Sequence, residues 1–541
     1  MTDPFAAPMG TSRLESAVTL RDLVLARADD HNPGLRLGEQ QWSWAEVVKE
    51  SAIRAAALTR FLDDAEPPHI GVLMENTPEY VFLLCAAALS GRVIVGLNPT
   101  RRGPALRSDI EHSDCQVVLT DDAYADLLDE TATEVTTLRT SGETWRAALK
   151  EHADAALPEA TVDPDTLFML IFTSGTTGDP KAVKVTHEKV AGPTVYLATR
   201  FGLTSADVGY VSMPMFHSNG IMAGWAPMVA IGGTMALAER FSASRFLPDV
   251  RRYGATYANY VGKPLSYVLG TPELPDDADN PLRLVFGNEA NDKDIDRFAE
   301  RFGCAVADTY SSTEGAVIVS RVPGMPAGSL GLPFDDVKVL NPETGEETPD
   351  AEFDEHGILL NADEATGEFA NVRGAGAFLG YYKNPAAESE RLRGGMYWSG
   401  DLAYRDADGF VYFAGRTDDW LRVDGENLAA APVERILLRH PAIAEAAVYA
   451  VPDESTGDQL AVAFVLDGEL DPHSFAEFLT AQPDLGTKQW PRYVTIVDSM
   501  PRTATNKVLK RELRAHGASG LRWEREPRGR SYHVVDPPEG R

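Results

Sequence analysis

Leu-Phe-Met-Leu-Ile-Phe at residues 167–172 runs directly into Thr-Ser-Gly-Thr-Thr-Gly-Asp-Pro-Lys at residues 173–181. The apolar run predicts a buried strand, and the loop after it is rich in glycine and hydroxyl side chains. Glycine lets the backbone approach a ligand closely, and N–H groups, hydroxyls and an ammonium at a strand end suit polyphosphate oxygens. A polar surface turn is the plainer alternative, which this density of Gly, Ser and Thr disfavours. The residues predicted to bind phosphate are Thr173, Ser174, Gly175, Thr176, Thr177, Gly178 and Lys181.

The glycine spacing separates this loop from the P-loop of kinases and GTPases. That motif needs four residues between its glycines and a lysine directly after the second. Here two residues separate Gly175 from Gly178, and Asp-Pro stands before Lys181. The loop therefore does not indicate a protein of that class.

Length and composition predict a globular protein of several domains. A chain of 541 residues is too long for one ordinary core. Cys85, Cys115 and Cys304 lie far apart without metal-ligand spacing, which indicates a reducing compartment. The start, Met-Thr-Asp-Pro-Phe, lacks the features of a signal peptide. A cytoplasmic protein is expected, with peripheral contact to a membrane and a homodimer left open.

The charge distribution argues against nucleic acid as a partner. The formal net charge is −31, which would repel a polyanion. Residues 501–530 hold nine basic and three acidic side chains, however, and so carry a formal charge of +6. This segment supplies local positive charge for a polyphosphate, although the part beyond residue 515 is equally well read as a solvated tail.

One uncharged stretch could be mistaken for a membrane span. Residues 219–238 carry no charge, but they contain four glycines and a proline and lack interfacial anchors. The pattern favours a buried helix, a turn and a strand over a span.

The first half of the chain alternates helix and strand signals. Ser43 and Glu46 form a capping box that opens a helix running to about Leu62. Thr77 caps a second helix, with Pro78 at its first position and Gly91 just past its end. The predicted strands are 69–74, 93–97, 116–120, 208–213, 234–237 and 282–286. This alternation indicates βαβ units and parallel sheet.

The end of the chain has a different pattern. Closely spaced strands are predicted at 445–451 and 459–466, flanked by helices near 432–439 and 472–480. This is an α+β arrangement, and a polar, glycine-led linker at 415–419 precedes it.

Four further clusters carry residue types suited to a nucleotide. Gly-Asn-Glu-Ala at 287–290 is a small-residue turn with room for a flat ring, and Asp-Thr-Tyr-Ser-Ser-Thr-Glu-Gly at 308–315 offers an aromatic ring, hydroxyls and a carboxylate. Trp-Ser-Gly-Asp-Leu at 398–402, with Gly415-Arg416, offers an Asp of the kind that binds a ribose diol. The fourth cluster is Pro-Arg-Thr-Ala-Thr-Asn-Lys at 501–507. Each cluster alone is weak evidence for a nucleotide site, whereas the occurrence of all of them in this order is strong evidence.

In this order, the five motifs resemble the adenylate-forming superfamily of acyl- and aryl-CoA synthetases, luciferases and peptide-synthetase adenylation domains. The resemblance covers about residues 40–512 and implies an α/β fold. A large N-terminal domain of parallel or mixed sheets with helices (1–415) would bind ATP and acid, and a small C-terminal α+β domain with a basic tail (416–541) would move about a hinge near Asp418. The implied reaction joins a carboxylate to ATP, giving acyl-AMP and pyrophosphate, and a thiol then attacks the adenylate.

The resemblance also implies roles for individual residues. Lys507 matches the adenylation lysine, Thr176 lies in the phosphate loop, His217 lines the acyl site and Glu314 binds Mg²⁺. His217 as an ordinary core histidine is the alternative. The other residues expected to bind ATP or CoA are Gly287, Asn288, Glu289, Ala290, Asp308, Thr309, Tyr310, Ser311, Ser312, Thr313, Asp401, Arg416, Arg422 and Gly425.

Within the superfamily the chain most resembles long- and very-long-chain fatty acyl-CoA synthetases, including the fatty-acid-transport-protein group. The likeness rests on residues 286–288, 310–315 and 420–427. Residues 221–237 would then line an acyl tunnel, with ordinary core as the alternative. Asn506 stands where Gly usually precedes the lysine, and Arg422 where Lys is frequent. Arg422 keeps the charge but not the geometry.

The expected function is therefore ATP-dependent formation of acyl-CoA from a fatty acid or other apolar acid, with ATP, Mg²⁺ and CoA. Three alternatives stay open at this point: a fatty acyl-AMP ligase that serves a carrier protein, an aryl or steroid side-chain acid CoA ligase, and a non-catalytic acyl-binding protein.

Overall fold

A computed structural model describes most of the chain. The described residues are 19–173, 180–334, 336–355, 357, 359–416, 420–423, 426–453, 457–482, 485–502, 508–516, 521–526 and 529–535. They form two compact units, one within residues 19–316 with 377–390 and the other within residues 317–376 with 391–535. This division differs from the predicted boundary between residues 415 and 416, which stays a prediction.

Strands and helices alternate through the first half of the described chain. The strands are β1 (Pro33–Leu37), β2 (Gln40–Ser43), β3 (His69–Leu73), β4 (Val93–Gly96), β5 (Cys115–Thr120), β6 (Thr136–Arg139), β7 (Leu167–Thr173), β8 (Lys181–Thr186), β9 (Val208–Val211), β10 (Thr234–Leu237), β11 (Tyr257–Val261), β12 (Leu284–Asn288), β13 (Ala305–Tyr310), β14 (Val319–Ser320), β15 (Leu332–Pro333), β16 (Val337–Leu340), β17 (Gly367–Asn371), β18 (Leu392–Arg393), β19 (Met396–Arg405), β20 (Val411–Arg416), β21 (Trp420–Val423), β22 (Glu426–Ala429), β23 (Ile443–Asp453), β24 (Gly457–Leu466), β25 (Tyr493–Ile496), β26 (Leu521–Arg525) and β27 (Tyr532–Val535). The helices are α1 (Leu20–Leu25), α2 (Trp44–Leu58), α3 (Pro78–Ser90), α4 (Gly103–His112), α5 (Ala125–Asp129), α6 (Glu143–Glu151), α7 (His187–Arg200), α8 (Ala226–Ile231), α9 (Ala243–Tyr253), α10 (Pro264–Leu269), α11 (Asp292–Phe302), α12 (Ala362–Ala365), α13 (Pro385–Arg391), α14 (Ala430–Leu437), α15 (Pro472–Thr480) and α16 (Lys510–His516).

The first unit contains two largely parallel sheets. One has the strand order β13-β12-β11-β9-β10-β1-β2, and only the β1–β2 pair is antiparallel. Helices α9 to α11 cover one face of it with Phe246, Val250, Phe298 and Phe302. The order of the other is β6-β5-β3-β4-β7-β8, with β7 and β8 antiparallel. The α/β fold class predicted for this part of the chain is confirmed.

A segment distant in sequence completes the first unit. Residues 377–390 return to it and pair with β8, where the N–H of Lys184 donates to the carbonyl of Gly380 (3.1 Å) and Val183 bridges to Tyr381. Nearby, the hydroxyl of Tyr382 donates to Asp114 (2.6 Å). The segment therefore packs alongside the strand that begins at Lys181.

The second unit contains two sheets of a different kind. Strands β16 to β20 form an antiparallel sheet in the order β16-β17-β19-β18, with β20 also on β19. Strands β21 to β27 form a mixed sheet whose faces pack separate apolar clusters, one with Phe464, Phe475 and Trp523 and one with Tyr449 and Leu513. The predicted α+β character of the end of the chain is confirmed.

The uncharged stretch at 219–238 is compact and buried. It forms a π-helical turn at Gly220–Trp225, helix α8 and strand β10. None of the described helices has the length and apolar character needed to cross a membrane. The prediction of helix, turn and strand is confirmed, although the sequence did not signal the π-helical geometry.

Candidate active site

The carboxyl ends of β11, β12 and β13 lie side by side in the first unit. Tyr260, Gly287 and Asp308 are in register across the three parallel strands. The Tyr260 hydroxyl crosses the middle strand and donates to Asp308 Oδ2 (2.6 Å). Gly287 makes this crossing possible, because a Cβ there would lie 2.6 Å from the Tyr260 ring. Clefts outside the carboxyl ends of parallel strands are the usual ligand sites of open α/β sheets.

The predicted turn at 287–290 folds back onto Asp308. Glu289 adopts a positive φ of 67°, which is uncommon for a residue with a side chain. The backbone N–H of Ala290 then donates to Asp308 Oδ2 (3.1 Å). Asn288 is directed to the neighbouring strand, where its side-chain amide donates to the Thr309 carbonyl (2.6 Å). The structure thus brings together Gly287, Asn288, Ala290, Asp308 and Thr309, whose role in nucleotide binding stays a prediction.

Buried asparagines attach the 217–220 segment to these strand ends. Asn219 donates through its side-chain amide to the Tyr260 carbonyl (2.8 Å) and accepts from the Asn259 amide (2.7 Å). Next to it, the hydroxyls of Ser218 and Thr313 lie 3.0 Å apart. Partnered amides at buried positions hold a unique geometry, since leaving one unpaired is costly.

Glu314 is held through both its backbone and its side chain. The residue is 9% exposed. Its carbonyl accepts from the Lys189 ammonium (2.9 Å), and its Oε1 accepts from the Tyr381 hydroxyl (2.9 Å). Burial lowers the pKa of Lys189 to about 8, against the opposing effect of the Glu314 charge. Tyr310, Ser311 and Ser312 lead into this turn from the end of β13, and the Gly315 N–H closes it on the Ser312 carbonyl (3.0 Å).

Thr173 and Lys181 bracket the predicted phosphate loop. They are cross-strand partners on β7 and β8, so both ends of the loop emerge from the same pair of strands. The Lys181 side chain is buried, with its ammonium 3.2 Å from a Glu390 carboxylate oxygen and 5.4 Å from the centre of the Tyr381 ring. Ser174, Gly175, Thr176, Thr177 and Gly178 lie outside the described residues.

His217 is a half-buried histidine. Burial lowers the pKa of His217 to about 4, and its Nε2 is buried without a hydrogen-bond partner among the described residues. The Phe216 ring lies 4.3 Å away, centre to centre, and the π-helical turn follows at Gly220–Trp225. At neutral pH the imidazole therefore contributes shape and a polar edge rather than charge.

In the second unit, two predicted ribose-binding residues are brought together. Asp401 on β19 is the cross-strand partner of Arg416 on β20. Gly400, with a φ of 75°, turns the chain just before Asp401, and its N–H donates to the buried Glu368 Oε1 (2.6 Å). Arg422 lies on β21, and Gly425 and Lys507 lie outside the described residues.

Glu314 fits a magnesium ion that is shared with a nucleotide. Mg²⁺ is usually held by one or two carboxylates together with substrate phosphates, rather than by an all-protein cage. The described part of the chain contains no group of three or more His, Cys, Asp or Glu side chains that could hold a metal ion by themselves. A single carboxylate with a hydrogen-bonded hydroxyl behind it matches the usual support of a metal ligand.

Comparison with known proteins identifies the family. The model of the AMP-binding enzyme family matches residues 26–382, and that of the AMP-binding enzyme C-terminal domain matches residues 432–507. The chain belongs to the AMP-binding enzyme family. The predicted resemblance to adenylate-forming enzymes is confirmed.

Several relatives are similar over nearly their whole length. The medium/long-chain-fatty-acid–CoA ligase FadD17 of Mycobacterium marinum is 52% identical over 92% of this chain and 96% of its own. The steroid-22-oyl-CoA synthetase of Rhodococcus jostii is 46% identical over 92% of this chain and 90% of its own. The O-succinylbenzoate CoA synthetase of Bacillus subtilis, solved with ATP and magnesium ion, has a TM-score of 0.75 at 26% identity, covering 91% of this chain and 98% of that one.

Sequence reasoning missed several residues of this site. Tyr260, Lys189, Tyr381 and Glu390 contact the predicted residues but belong to no motif recognised in the sequence. Asn219 lies two positions after the predicted site residue His217, so an amide side chain at this point of the sequence was an available signal.

Proposed function

We propose that this chain activates an apolar carboxylic acid with ATP and transfers the acyl group to CoA. One observation carries the proposal. Lys181, at the end of the phosphate loop, lies over the Tyr381 ring, and the hydroxyl of that ring binds Glu314. The cation that we propose for phosphate binding and the carboxylate that we propose for Mg²⁺ are thus separated by a single side chain. This spacing suits a magnesium triphosphate.

The first step forms the acyl adenylate. A carboxylate oxygen of the acid attacks the α-phosphorus of ATP, the bond from that phosphorus to the β-phosphate oxygen breaks, and pyrophosphate leaves. Both reactants are anionic, so the protein must position them and neutralise charge. Lys181 would contact the departing phosphates, and Lys507 would bridge the carboxylate and the α-phosphate. Magnesium, held by Glu314, would supply further positive charge at the phosphates.

The second step forms the thioester. The sulfur of CoA attacks the acyl carbon and its thiol proton passes to solvent, the bond from that carbon to the AMP oxygen breaks, and AMP leaves. Asp401 would hold the ribose hydroxyls, and Arg416, Arg422 and Gly425 would complete the nucleotide and CoA contacts. Movement about a hinge near Asp418 would separate the two steps.

The acid site would be formed by the segment after β9. A neutral His217 beside Phe216 presents a largely apolar surface, and the π-helical turn that follows has Ile221 and Trp225 fully buried. An apolar surrounding of this kind would suit a carboxylic acid whose remaining part is apolar. The names of the relatives point to two kinds of acid, a medium- or long-chain fatty acid and a steroid side-chain acid.

The test is AMP release across a panel of acids, with and without CoA. The panel includes short, medium, long and very-long fatty acids, aryl acids and steroid side-chain acids. We expect CoA-dependent AMP release with at least one apolar acid. AMP release that requires a carrier protein would favour an acyl-AMP ligase, and absence of ATP–pyrophosphate exchange with every acid would favour a non-catalytic protein.

The location of the protein and its assembly stay predictions. We propose a cytoplasmic enzyme, and fractionation of cells with size-exclusion chromatography of the purified chain would test membrane contact and dimerisation.

A further inference from the structure

We propose that Tyr381 and Lys189 are positioning residues that hold the Glu314 carboxylate ready for the magnesium ion of MgATP. This inference rests on the proposed function, in which Glu314 binds that ion. It assigns a role to two side chains outside the phosphate loop and outside the 308–315 cluster. One acts on the Glu314 side chain and the other on its backbone.

Tyr381 restrains the carboxylate. Its hydroxyl donates to Glu314 Oε1 (2.9 Å), and the residue is 2% exposed. The Tyr381 backbone N–H donates to Glu388 Oε1 (2.8 Å), and its ring packs edge-on against Phe378. A tyrosine held in this way cannot follow a rotating carboxylate, so the hydrogen bond selects one orientation of Glu314.

Lys189 restrains the backbone of the same residue. Its ammonium reaches from the first turn of α7 to the Glu314 carbonyl (2.9 Å), and the residue is 7% exposed. The lysine stem passes beneath Gly315, where a Cβ would lie 3.6 Å from Lys189 Cε. Gly315 has a positive φ of 69°, so the chain turns sharply at this point. The lysine therefore fixes the turn from which Glu314 projects.

Together the two contacts remove most of the freedom of Glu314 before any ligand arrives. A glutamate loses considerable rotamer freedom when it is ordered, and a site that is ordered on folding does not lose that freedom again on binding. Tyr381 and Lys189 should therefore favour MgATP specifically and leave metal-free ATP almost unaffected.

The chain offers matched controls for both residues. Tyr382 is adjacent to Tyr381, and its hydroxyl also donates to a carboxylate, that of Asp114 (2.6 Å), away from Glu314. Lys338, on β16 of the second unit, pairs through its ammonium with Glu347 (3.8 Å) and contacts neither Tyr381 nor Glu388. Each control removes the same chemical group without touching Glu314.

The experiment compares Tyr381→Phe and Lys189→Met with Tyr382→Phe and Lys338→Met. Isothermal titration calorimetry gives the affinity of each full-length variant for ATP with Mg²⁺ and with EDTA. We expect Tyr381→Phe and Lys189→Met to bind MgATP about 5- to 30-fold more weakly, the loss of one hydrogen bond, with metal-free ATP changed less than about twofold. The controls should bind both forms like the parent, and Lys189→Arg should recover part of the MgATP affinity.

A Glu314→Gln variant tests the assignment of Glu314 to magnesium separately from the positioning roles of Tyr381 and Lys189. If it binds MgATP like the parent, the assignment of Glu314 to magnesium is wrong. If it loses MgATP affinity while Tyr381→Phe and Lys189→Met keep theirs, the positioning roles are wrong. Equal weakening of MgATP and metal-free ATP would also overturn them, because it indicates general damage. Should Lys189→Met fail to fold, Tyr381→Phe carries the test alone, since it removes only one oxygen atom.

Discussion

Gly287→Ala should weaken nucleotide binding, because the added methyl group would occupy the space through which the Tyr260 side chain reaches Asp308. Gly287 lies between Tyr260 and Asp308 in register, and the Tyr260 ring crosses it to reach Asp308. An added Cβ would lie 2.6 Å from that ring and closer still to the Tyr260 carbonyl oxygen. The carbonyl belongs to a paired strand, so the overlap is relieved only if β11 and β12 separate at their carboxyl ends.

The magnitude follows from two losses. Overpacking of a well-packed position costs about 1–3 kcal/mol, and losing a hydrogen bond to a charged group costs about 1.5–3 kcal/mol. Both of these free-energy costs arise at the strand ends that carry Asn288 and Asp308. If about 1.4–2.8 kcal/mol of this appears in ATP binding, the KM for ATP rises about 10- to 100-fold.

The assay is ATP–pyrophosphate exchange with a saturating acid, combined with urea unfolding. Gly192→Ala is the matched control, because a Cβ at that helical position in α7 meets nothing within 4 Å. Tyr260→Phe removes the hydroxyl alone and should give a smaller rise in KM. A Gly287→Ala enzyme with parental stability and parental KM for ATP would refute the reasoning, since the ring and the carbonyl would then have accommodated the methyl group freely.

Four further predictions concern other parts of the chain. Lys507→Ala should abolish acyl-AMP formation but spare thioester formation from supplied acyl-AMP, and equal loss of both half-reactions would contradict its assignment. Asp401→Ala should raise the KM for ATP about 5- to 150-fold, the effect of about 1–3 kcal/mol, and an unchanged value would mark Asp401 as structural. Asp418→Pro should keep pyrophosphate exchange but lose acyl-CoA output, because proline fixes φ and denies a hinge one of its states. Burial lowers the pKa of His187 from 6.5 to about 4, so below pH 6.5 the unfolded chain takes up a proton that the native state does not. Unfolding free energy should therefore fall by about 2 kcal/mol from pH 7 to pH 5 through this residue, and urea titrations of His187→Leu should lack that component.

Local elements were the part of the fold that could be predicted most closely. The capping box of Ser43 and Glu46 is present, and Thr77, Pro78 and Gly91 delimit α3 as expected. Strand β10 and helix α15 have the predicted bounds. The residues that form these features lie within a few positions of one another, so local interactions determine them and the sequence alone predicts them.

Element ends set by packing were less accurate. The helix expected to reach about Leu62 ends at Leu58, followed by a turn of 3-10 helix at Thr59–Phe61. The strand expected at 282–286 is observed at Leu284–Asn288, where it aligns with its neighbours on both sides. Register with adjacent strands, rather than local propensity, determines where such a strand begins and ends.

By itself, the sequence determined the family, the strand that ends at Thr173 and most of the residue types at the strand ends, while the phosphate-binding role of the loop before Lys181 stays a prediction. Only the tertiary structure decided how these residues are supported. Glu390 is 209 positions from Lys181, and Tyr381 is 67 positions from Glu314, yet each pair is in direct contact. Strand order and the return of residues 377–390 to β8 create these pairs. No periodicity or capping signal reports them, because their free energy arises between segments that meet only once the chain has folded.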